Sequence, residues 1–382
     1  MRLSDVQHQH AALDRIQRGL RSGRLPHALL FAGPDGVGRE LTATRLAGVL
    51  LCTRPVETHA PASAGQTGPW RDLCGACTDC ELLASGGHPD VHRIHRGLVK
   101  HHSDATVRSR KALELSIDVV RQFMLEPMMR RSARGGAKVF IVVEAELLST
   151  AAQNCLLKTL EEPPDDACII LLSAALHAML PTTRSRCQTI EFGSLPIDFV
   201  AERVVAAGHD PVAARYYAEL SGGRMGVALQ FPELPVLAAR DTLAPALARV
   251  RIEPLTLGRV VKEQADALAK NWKQETALSD SDTARRSAEL VLAIVANALR
   301  AALHQACGLA EDVTHLGPAM LAAAQGLAGE FGRSGTSRAI RVVQAALSRL
   351  ERHANAALVF DALGIELAAA GRRRVASAAA RR

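Results

Sequence analysis

The chain has 382 residues, 48% of them hydrophobic and 22% charged, with a formal net charge of +7; that length supports two or three domains with cores of their own. No apolar run reads as long as a membrane span, and the start, Met1-Arg2-Leu3-Ser4-Asp5, lacks the apolar centre of a signal peptide, so a cytoplasmic protein with no membrane role is expected. Aromatic residues make up 3%, too few for a platform that stacks bases, while the positive excess permits contact with a polyanion without demanding it.

The first predicted strand, residues 28–31, runs into Gly33-Pro34-Asp35-Gly36-Val37-Gly38-Arg39-Glu40, and a helix follows at 40–51. Gly33, Gly36 and Gly38 have the spacing of a phosphate-binding loop, but Arg39 stands where the lysine belongs and Glu40 where the magnesium-binding hydroxyl belongs. A guanidinium keeps the charge of an ammonium but not its compact shape. A carboxylate about 4 Å from one like charge costs roughly 4 kcal/mol at an effective dielectric of about 20. Tight ATP binding is therefore not expected. The alternative reading is an ordinary glycine-rich turn between strand and helix.

Cys52 closes that helix, and Cys74, Cys77 and Cys80 follow as C-x2-C-x2-C. In a reducing compartment such a group suits tetrahedral Zn²⁺ in a closed, structural site; an iron–sulfur cluster or free thiols are the alternatives. His88, in Gly87-His88-Pro89-Asp90, is either a substitute ligand or the shaper of a turn. A short strand at 90–94 and a polar loop at 97–110 come next. Residues 116–129 then show helical periodicity, with Ile117, Val120, Phe123 and Met124 apolar. The β-branched run 138–143 fits a strand buried on both faces of a parallel sheet. Ser149 or Thr150 caps a helix that Pro163-Pro164 stops after Glu161. Strands at 169–172 and 189–192 complete five strands with helical crossovers, an α/β domain over residues 1–194.

From Leu195 the pattern turns to alanine-rich helices without strands. A small helical unit spans 195–236, with a Pro- and Leu-rich linker after Phe231-Pro232, and an all-helical domain spans 237–382. Within it a partly polar stretch at 241–281 has no role that the sequence reveals. Apolar-periodic stretches follow at 288–307, 318–331, 337–353 and 356–370, a loose pattern that invites oligomer contacts. The basic tail from Gly371 to Arg382 reads as a disordered end.

Several segments together carry a likeness: Leu25-Pro26-His27-Ala28-Leu29-Leu30-Phe31, the cysteine group with His88-Pro89-Asp90, and Gly135-Gly136-Ala137-Lys138-Val139. More specific are Ala151-Ala152-Gln153-Asn154-Cys155-Leu156-Leu157-Lys158-Thr159-Leu160-Glu161-Glu162-Pro163-Pro164 and Arg184-Ser185-Arg186-Cys187. In these the chain resembles the clamp-loader branch of AAA+ proteins over nearly its whole length. The resemblance implies an AAA+ core with a parallel five-stranded sheet, a small helical lid and an all-α collar that assembles subunits.

The departures from that family are informative. Active members carry Asp-Glu at the end of the second acidic strand, where this chain has Val143-Glu144. Active members also place an arginine of the lid on the nucleotide; the matching segment, Gly223-Arg224-Met225-Gly226, offers Gly226 or, two residues shifted, Arg224. Arg186 matches the arginine that family members extend into a neighbour's nucleotide site, a finger worth roughly 10³ to 10⁵ in rate in GTPases. The resemblance thus implies a non-hydrolysing subunit that acts in trans through Arg186, with gamma/tau and delta subunits and the sliding clamp as partners and primed DNA reached through the assembly. The competing reading pairs Arg186 with a carboxylate near the sheet edge. At the level of function, the alternatives are an active gamma/tau-like ATPase and a free-standing zinc-dependent nucleic-acid-binding protein.

Overall fold

The computed structural model describes residues 2–59, 69–110, 112–164, 166–275, 280–309, 314–352 and 354–379. The chain divides into two compact units, Met1–Pro196 with Arg224–Gly226, and Ile197–Gly223 with Val227–Arg382.

Seven strands form among the described residues: β1 (Ala28–Ala32), β2 (Val56–His59), β3 (Pro69–Asp72), β4 (Val91–Ile94), β5 (Lys138–Val142), β6 (Ala167–Ser173) and β7 (Gln188–Glu191). Five of them make a parallel sheet in the order β4-β5-β6-β1-β7. The three central strands are buried along their whole length, as their continuous apolar sequences require of strands covered on both faces. Alternate residues serve opposite layers. Leu29, Phe31, Ile141 and Ile170 join Leu13, Ile16 and Leu46 on one side; Leu30, Phe140, Ile169 and Leu171 join Met124 and Leu156 on the other. Each such side chain, fully buried, contributes about 1.5–3 kcal/mol.

The five expected strands and their crossovers are all present, with local differences. The β2–β3 pair is an antiparallel hairpin that the sequence reading did not contain. The polar segment expected to be a loop holds two short helical turns, Arg96–His101 and Ala105–Arg108. The second is capped by Asp104, whose carboxylate accepts the Thr106 N–H at 2.7 Å. Ser149, not Thr150, caps the helix Thr150–Glu161 by accepting the Ala152 N–H.

Lys138 is 5% exposed at the start of β5. Its ammonium donates to the carbonyls of Pro127, Met128 and Arg130, closing the end of the helix Glu126–Met129. Burial holds its pKa below the usual lysine value.

The second unit is helical throughout its described residues. The linker expected after Pro232 is short: Leu234-Pro235 follow the turn Phe231–Glu233, and the helix Val236–Ala248 then begins, seated by buried Val236, Leu243 and Leu247. The stretches expected at 318–331 and 337–353 are two helices within Pro318–Glu351, separated by a kink at Gly332 where φ is 55° and ψ −174°. The helix Ala356–Ala379 continues through much of the tail expected to be disordered; side chains from residue 372 on, and residues 380–382 entirely, lie outside the described residues. By length and composition Asp280–Ala306 is apolar enough to cross a membrane, contrary to expectation, but 61% of its most apolar window is buried inside the protein. It packs against Pro254–Glu275 and Pro318–Glu351 as a core helix of this unit.

Charge in this unit converges on Glu219. Its carboxylate accepts from Arg215 Nε, Arg300 Nη2 and His315 Nε2, each at 2.9 Å, joining Pro211–Ser221, Asp280–Ala306 and the turn Thr314–Leu316. Burial raises its pKa, but the hydrogen bond from His315 and the surrounding positive charges prevail and hold it below the ordinary glutamate value. A depressed carboxylate pKa stabilises the fold above the unfolded-state value and loses that contribution as pH falls through the folded value. Glu219→Gln is expected to cost about 1–3 kcal/mol at neutral pH. That cost should shrink as pH falls below about 4.3; urea unfolding monitored at both pH values checks it, and a pH-independent difference would refute the charge argument.

Candidate nucleotide loop and metal site

The loop between β1 and the helix Arg39–Leu51 leaves the sheet where three strand ends meet. Gly33 N–H donates to the Ser173 carbonyl at 3.1 Å, and Phe192 N–H donates to the Ala32 carbonyl at 2.7 Å. Gly33, Gly36 and Gly38 have φ of 152°, 77° and 99°. At Gly33 there is also no room: a Cβ would lie 2.2 Å from the Phe192 carbonyl oxygen. Gly38 takes the N-cap position in the left-handed region. Gly226 N–H donates to the Gly36 carbonyl at 2.9 Å, and a Cβ at 226 would stand 3.1 Å from the Gly36 Cα.

Both residues that replace the loop's usual chemistry are engaged elsewhere in the same unit. Arg39, with its side chain 8% exposed, pairs with Asp35 one turn back in the loop; its Nη1 is buried without a hydrogen-bond partner among the described residues. Glu40 pairs with Arg93. Val143 follows β5, its N–H donating to the Ile94 carbonyl at 2.8 Å. Glu144 has a left-handed backbone, φ 56°, and its carboxylate accepts Arg96 Nε at 3.1 Å. Burial, together with nearby Asp35, lifts the Glu146 carboxyl above the usual range.

Arg186 follows the short helix Pro181–Arg184. Its Nε donates to Glu161 Oε1 at 2.5 Å, Nη2 pairs with the same carboxylate, and Nη1 donates to the Thr182 carbonyl at 3.0 Å. The carboxylate pairing that the sequence left open is therefore present in the single chain. Burial pushes the neighbouring Cys187 thiol up to about 12.

Cys52, Cys74, Cys77 and Cys80 form a group that could hold a metal ion, their sulfurs all within 4.8 Å of one another. Cys52 caps the end of Arg39–Leu51 and Cys77 the start of Thr78–Ala84, so two helix termini and the segment after β3 converge. The Sγ–Sγ distances are 3.8 Å for Cys52–Cys77 and 3.9 Å for Cys74–Cys80. Thiolates at about 2.3 Å from a tetrahedral metal stand about 3.8 Å apart, so the donor set fits. Backbone N–H groups of Cys74 and Ala76 already point at Cys52 and Cys74 sulfurs, at 3.3 and 3.5 Å. Burial raises the Cys77 thiol, but hydrogen bonds from the Cys80 backbone and from Thr53 bring it down to about 6, whereas burial pushes Cys80 up to about 12.

His88 stands outside this group. Its Nδ1 accepts the Asp90 N–H at 3.1 Å and its Nε2 lies 3.4 Å from Asp79 Oδ1. Asp90 in turn accepts from Ser132 Oγ and from the N–H groups of Ala133 and Arg134, so the His-Pro-Asp segment organises a turn.

Sequence reasoning missed Gln9. This buried amide donates to the carbonyls of Val37 and Gly193 and accepts the Gly193 N–H, tying the loop to the end of β7. Its partners are 28 and 184 residues away, so no local pattern signals it.

Comparison with known proteins places these features in context. The family described as DNA polymerase III, delta subunit, matches residues 8–196. The DNA polymerase III subunit delta' of Escherichia coli (strain K12) is 32% identical over 238 residues, 62% of this chain and 63% of that protein. The subunit delta' of Pseudomonas aeruginosa is 36% identical over 161 residues, 42% and 41% of the two chains. The subunit tau of E. coli is 29% identical over 236 residues, 60% of this chain and 32% of tau. The matches thus span less than two thirds of the length of each of these relatives.

The crowding at Gly33 gives a direct test of the loop. Gly38→Ala, with open space around it, should cost only the backbone strain of about 1–3 kcal/mol. Gly33→Ala adds a backbone clash and should lower the thermal midpoint well beyond Gly38→Ala; equal midpoints would refute the packing described.

Proposed function

We propose that this chain, whose residues 8–196 match the family described as DNA polymerase III, delta subunit, is a delta-prime-type subunit of a clamp loader that does not hydrolyse ATP and lends Arg186 to a neighbouring ATPase. The observation that carries this reading is the contrast between two guanidinium groups. Arg39, 8% exposed, is committed to Asp35 inside its own loop, whereas Arg186, 31% exposed, sits in a pair open to water. The similarity to two delta' proteins supports the assignment.

The reading follows from what phosphoryl transfer needs. A working loop offers a mobile lysine, a hydroxyl for magnesium and an acidic group that holds the metal through water. Here the first is a buried arginine, the second a glutamate paired with Arg93, and the third is Val143. A neighbour's triphosphate meets a different surface. As charge grows on the transferred phosphoryl oxygens, a guanidinium can donate two parallel N–H bonds to them, which a water-exposed arginine supplies without burying a new charge beforehand. The similarity to tau is the reason the active-ATPase alternative stays under test, and the same residues argue against it.

In this reading residues 195–236 form a lid and residues 237–382 a collar. Gamma/tau and delta subunits are the partners, and the complex opens the sliding clamp and delivers it to primed DNA in the cytoplasm. DNA contact in the assembly would favour phosphates over bases. Zn²⁺ held by Cys52, Cys74, Cys77 and Cys80 would be structural, a closed four-thiolate site linking two helix ends.

Two measurements test this reading. The purified chain should show no ATP turnover. After reconstitution with gamma/tau and delta subunits, Arg186→Ala should slow clamp- and DNA-stimulated turnover at the adjoining site by about tenfold or more; unchanged turnover in a fully assembled complex removes the finger role. Metal analysis should find stoichiometric zinc, and Cys77→Ser should lose it together with several degrees of thermal midpoint; a metal-free protein of unchanged stability would refute the zinc assignment.

A further inference from the structure

Arg186 is engaged inside its own chain, with Nε and Nη2 on the Glu161 carboxylate and Nη1 on the Thr182 carbonyl. Glu161 is the last residue of the helix Thr150–Glu161. A carboxylate there faces the negative end of the helix dipole, which disfavours it. Helix formation alone therefore does not account for an acid at this position; the guanidinium beside it offsets the local cost. The side chains are 31% and 47% exposed, so water competes for both partners and the pair is weak and exchangeable.

We propose that Glu161 is a positioning residue that holds Arg186 in cis and gives it up to the terminal phosphate of a nucleotide on the adjoining subunit. This rests on the finger reading above. A terminal phosphoryl group carries more negative charge than one carboxylate and presents several acceptor oxygens, so it can displace Glu161. The same guanidinium cannot serve both acceptors with its Nε–Nη2 edge. Every binding event in trans then includes breaking the pair in cis. Glu161 thereby lowers the affinity for the nucleotide and keeps the arginine from other anions until the neighbour is loaded. Once Arg186 has moved, Glu161 no longer touches it, and the chemical step is unaffected.

The test uses the reconstituted complex and the probe ADP–aluminium fluoride, a mimic of the transferring phosphoryl group. Exposed ion pairs of this kind are worth about 1.5- to 5-fold in an equilibrium. Glu161→Gln, which keeps the shape and removes the charge, should lower the half-saturating concentration of the probe, and the KM for ATP at the adjoining site, by about two- to fivefold. The kcat should stay at the wild-type value, a split that mere loosening of the fold would not give. Raising the salt concentration should erase the difference, since screening weakens the same pair. Glu162→Gln, the same charge change at an exposed position one residue on, should leave both constants as they are. In an Arg186→Ala background, Glu161→Gln should have no further effect.

The outcomes separate the two ideas. If Arg186→Ala slows turnover but Glu161→Gln leaves half-saturation unchanged, or Glu162→Gln acts equally, the competition is refuted and the finger stands. If Arg186→Ala leaves turnover unchanged, the finger reading fails and this inference falls with it.

Discussion

β1 is hydrogen-bonded on both sides, to β6 and to β7, and this double pairing sets the level at which the loop leaves the sheet. In an open parallel sheet, ligand sites lie beyond the carboxyl ends of the strands. Here those ends are stitched by Gly33 to Ser173 and by Phe192 to Ala32, and the space a side chain at 33 would need is filled by the Phe192 carbonyl. The buried amide of Gln9 adds a third link, between Val37 and Gly193. A loop held at its start and its turn cannot rearrange without opening a buried backbone pair, and an unsatisfied buried amide or carbonyl costs about 1–3 kcal/mol. The backbone of the glycine loop is thus fixed by its neighbours in the sheet, whatever side chains it carries.

Those changed side chains neutralise one another within the chain. Arg39 meets Asp35, Glu40 meets Arg93, and Glu144 meets Arg96. In a site built to take a triphosphate and a divalent cation, such charges wait for the ligand, and their desolvation is offset when it arrives. Here each has a partner already, so a ligand would have to break pairs before making its own. The cysteine group takes a different course. Its sulfurs stand at distances suited to a shared cation. A metal held there would favour the deprotonated form at every sulfur and reinforce two helices that already pack together where Gly48 faces Leu83.

Much of this was legible in the sequence, for identifiable reasons. The runs 28–31, 138–143 and 169–172 are continuous and apolar because both faces of the sheet are covered, and such runs admit few alternatives. Ser149 and Pro163-Pro164 mark their helix by local chemistry alone. The cysteine spacing carries its own geometry. What escaped was whatever depends on distant partners. The β2–β3 hairpin has short strands, one of them opening on Pro69, and the buried positions of that strand are Trp70 and Asp72, so hydrophobicity does not follow its alternation. Lys138 looks like the polar edge of a strand, yet it is buried because three carbonyls at a helix end await a cation. Glu219 is one acid among many on alanine-rich helices, and only the tertiary structure brings Arg300 and His315 to it. By contrast, the two periodic stretches on either side of Gly332 were legible as the two helices that the kink there separates.

The two arginines show why burial, more than residue type, decides what a charge can do. Arg39 and Arg186 are each paired with a carboxylate close by in space. Moving Arg39 would strand a guanidinium in a site where its Nη1 already lacks a hydrogen-bond partner among the described residues and would leave the exposed Asp35 behind. A buried charge deprived of its partner costs about 3–5 kcal/mol, which holds it in place. Moving Arg186 exchanges one water-accessible acceptor for another, and a median exposed pair is worth about 0–1 kcal/mol. The same chemical group is therefore fixed in the loop and exchangeable at the end of the short helix Pro181–Arg184. The exchangeable cation of the two thus lies at the surface and the committed one inside.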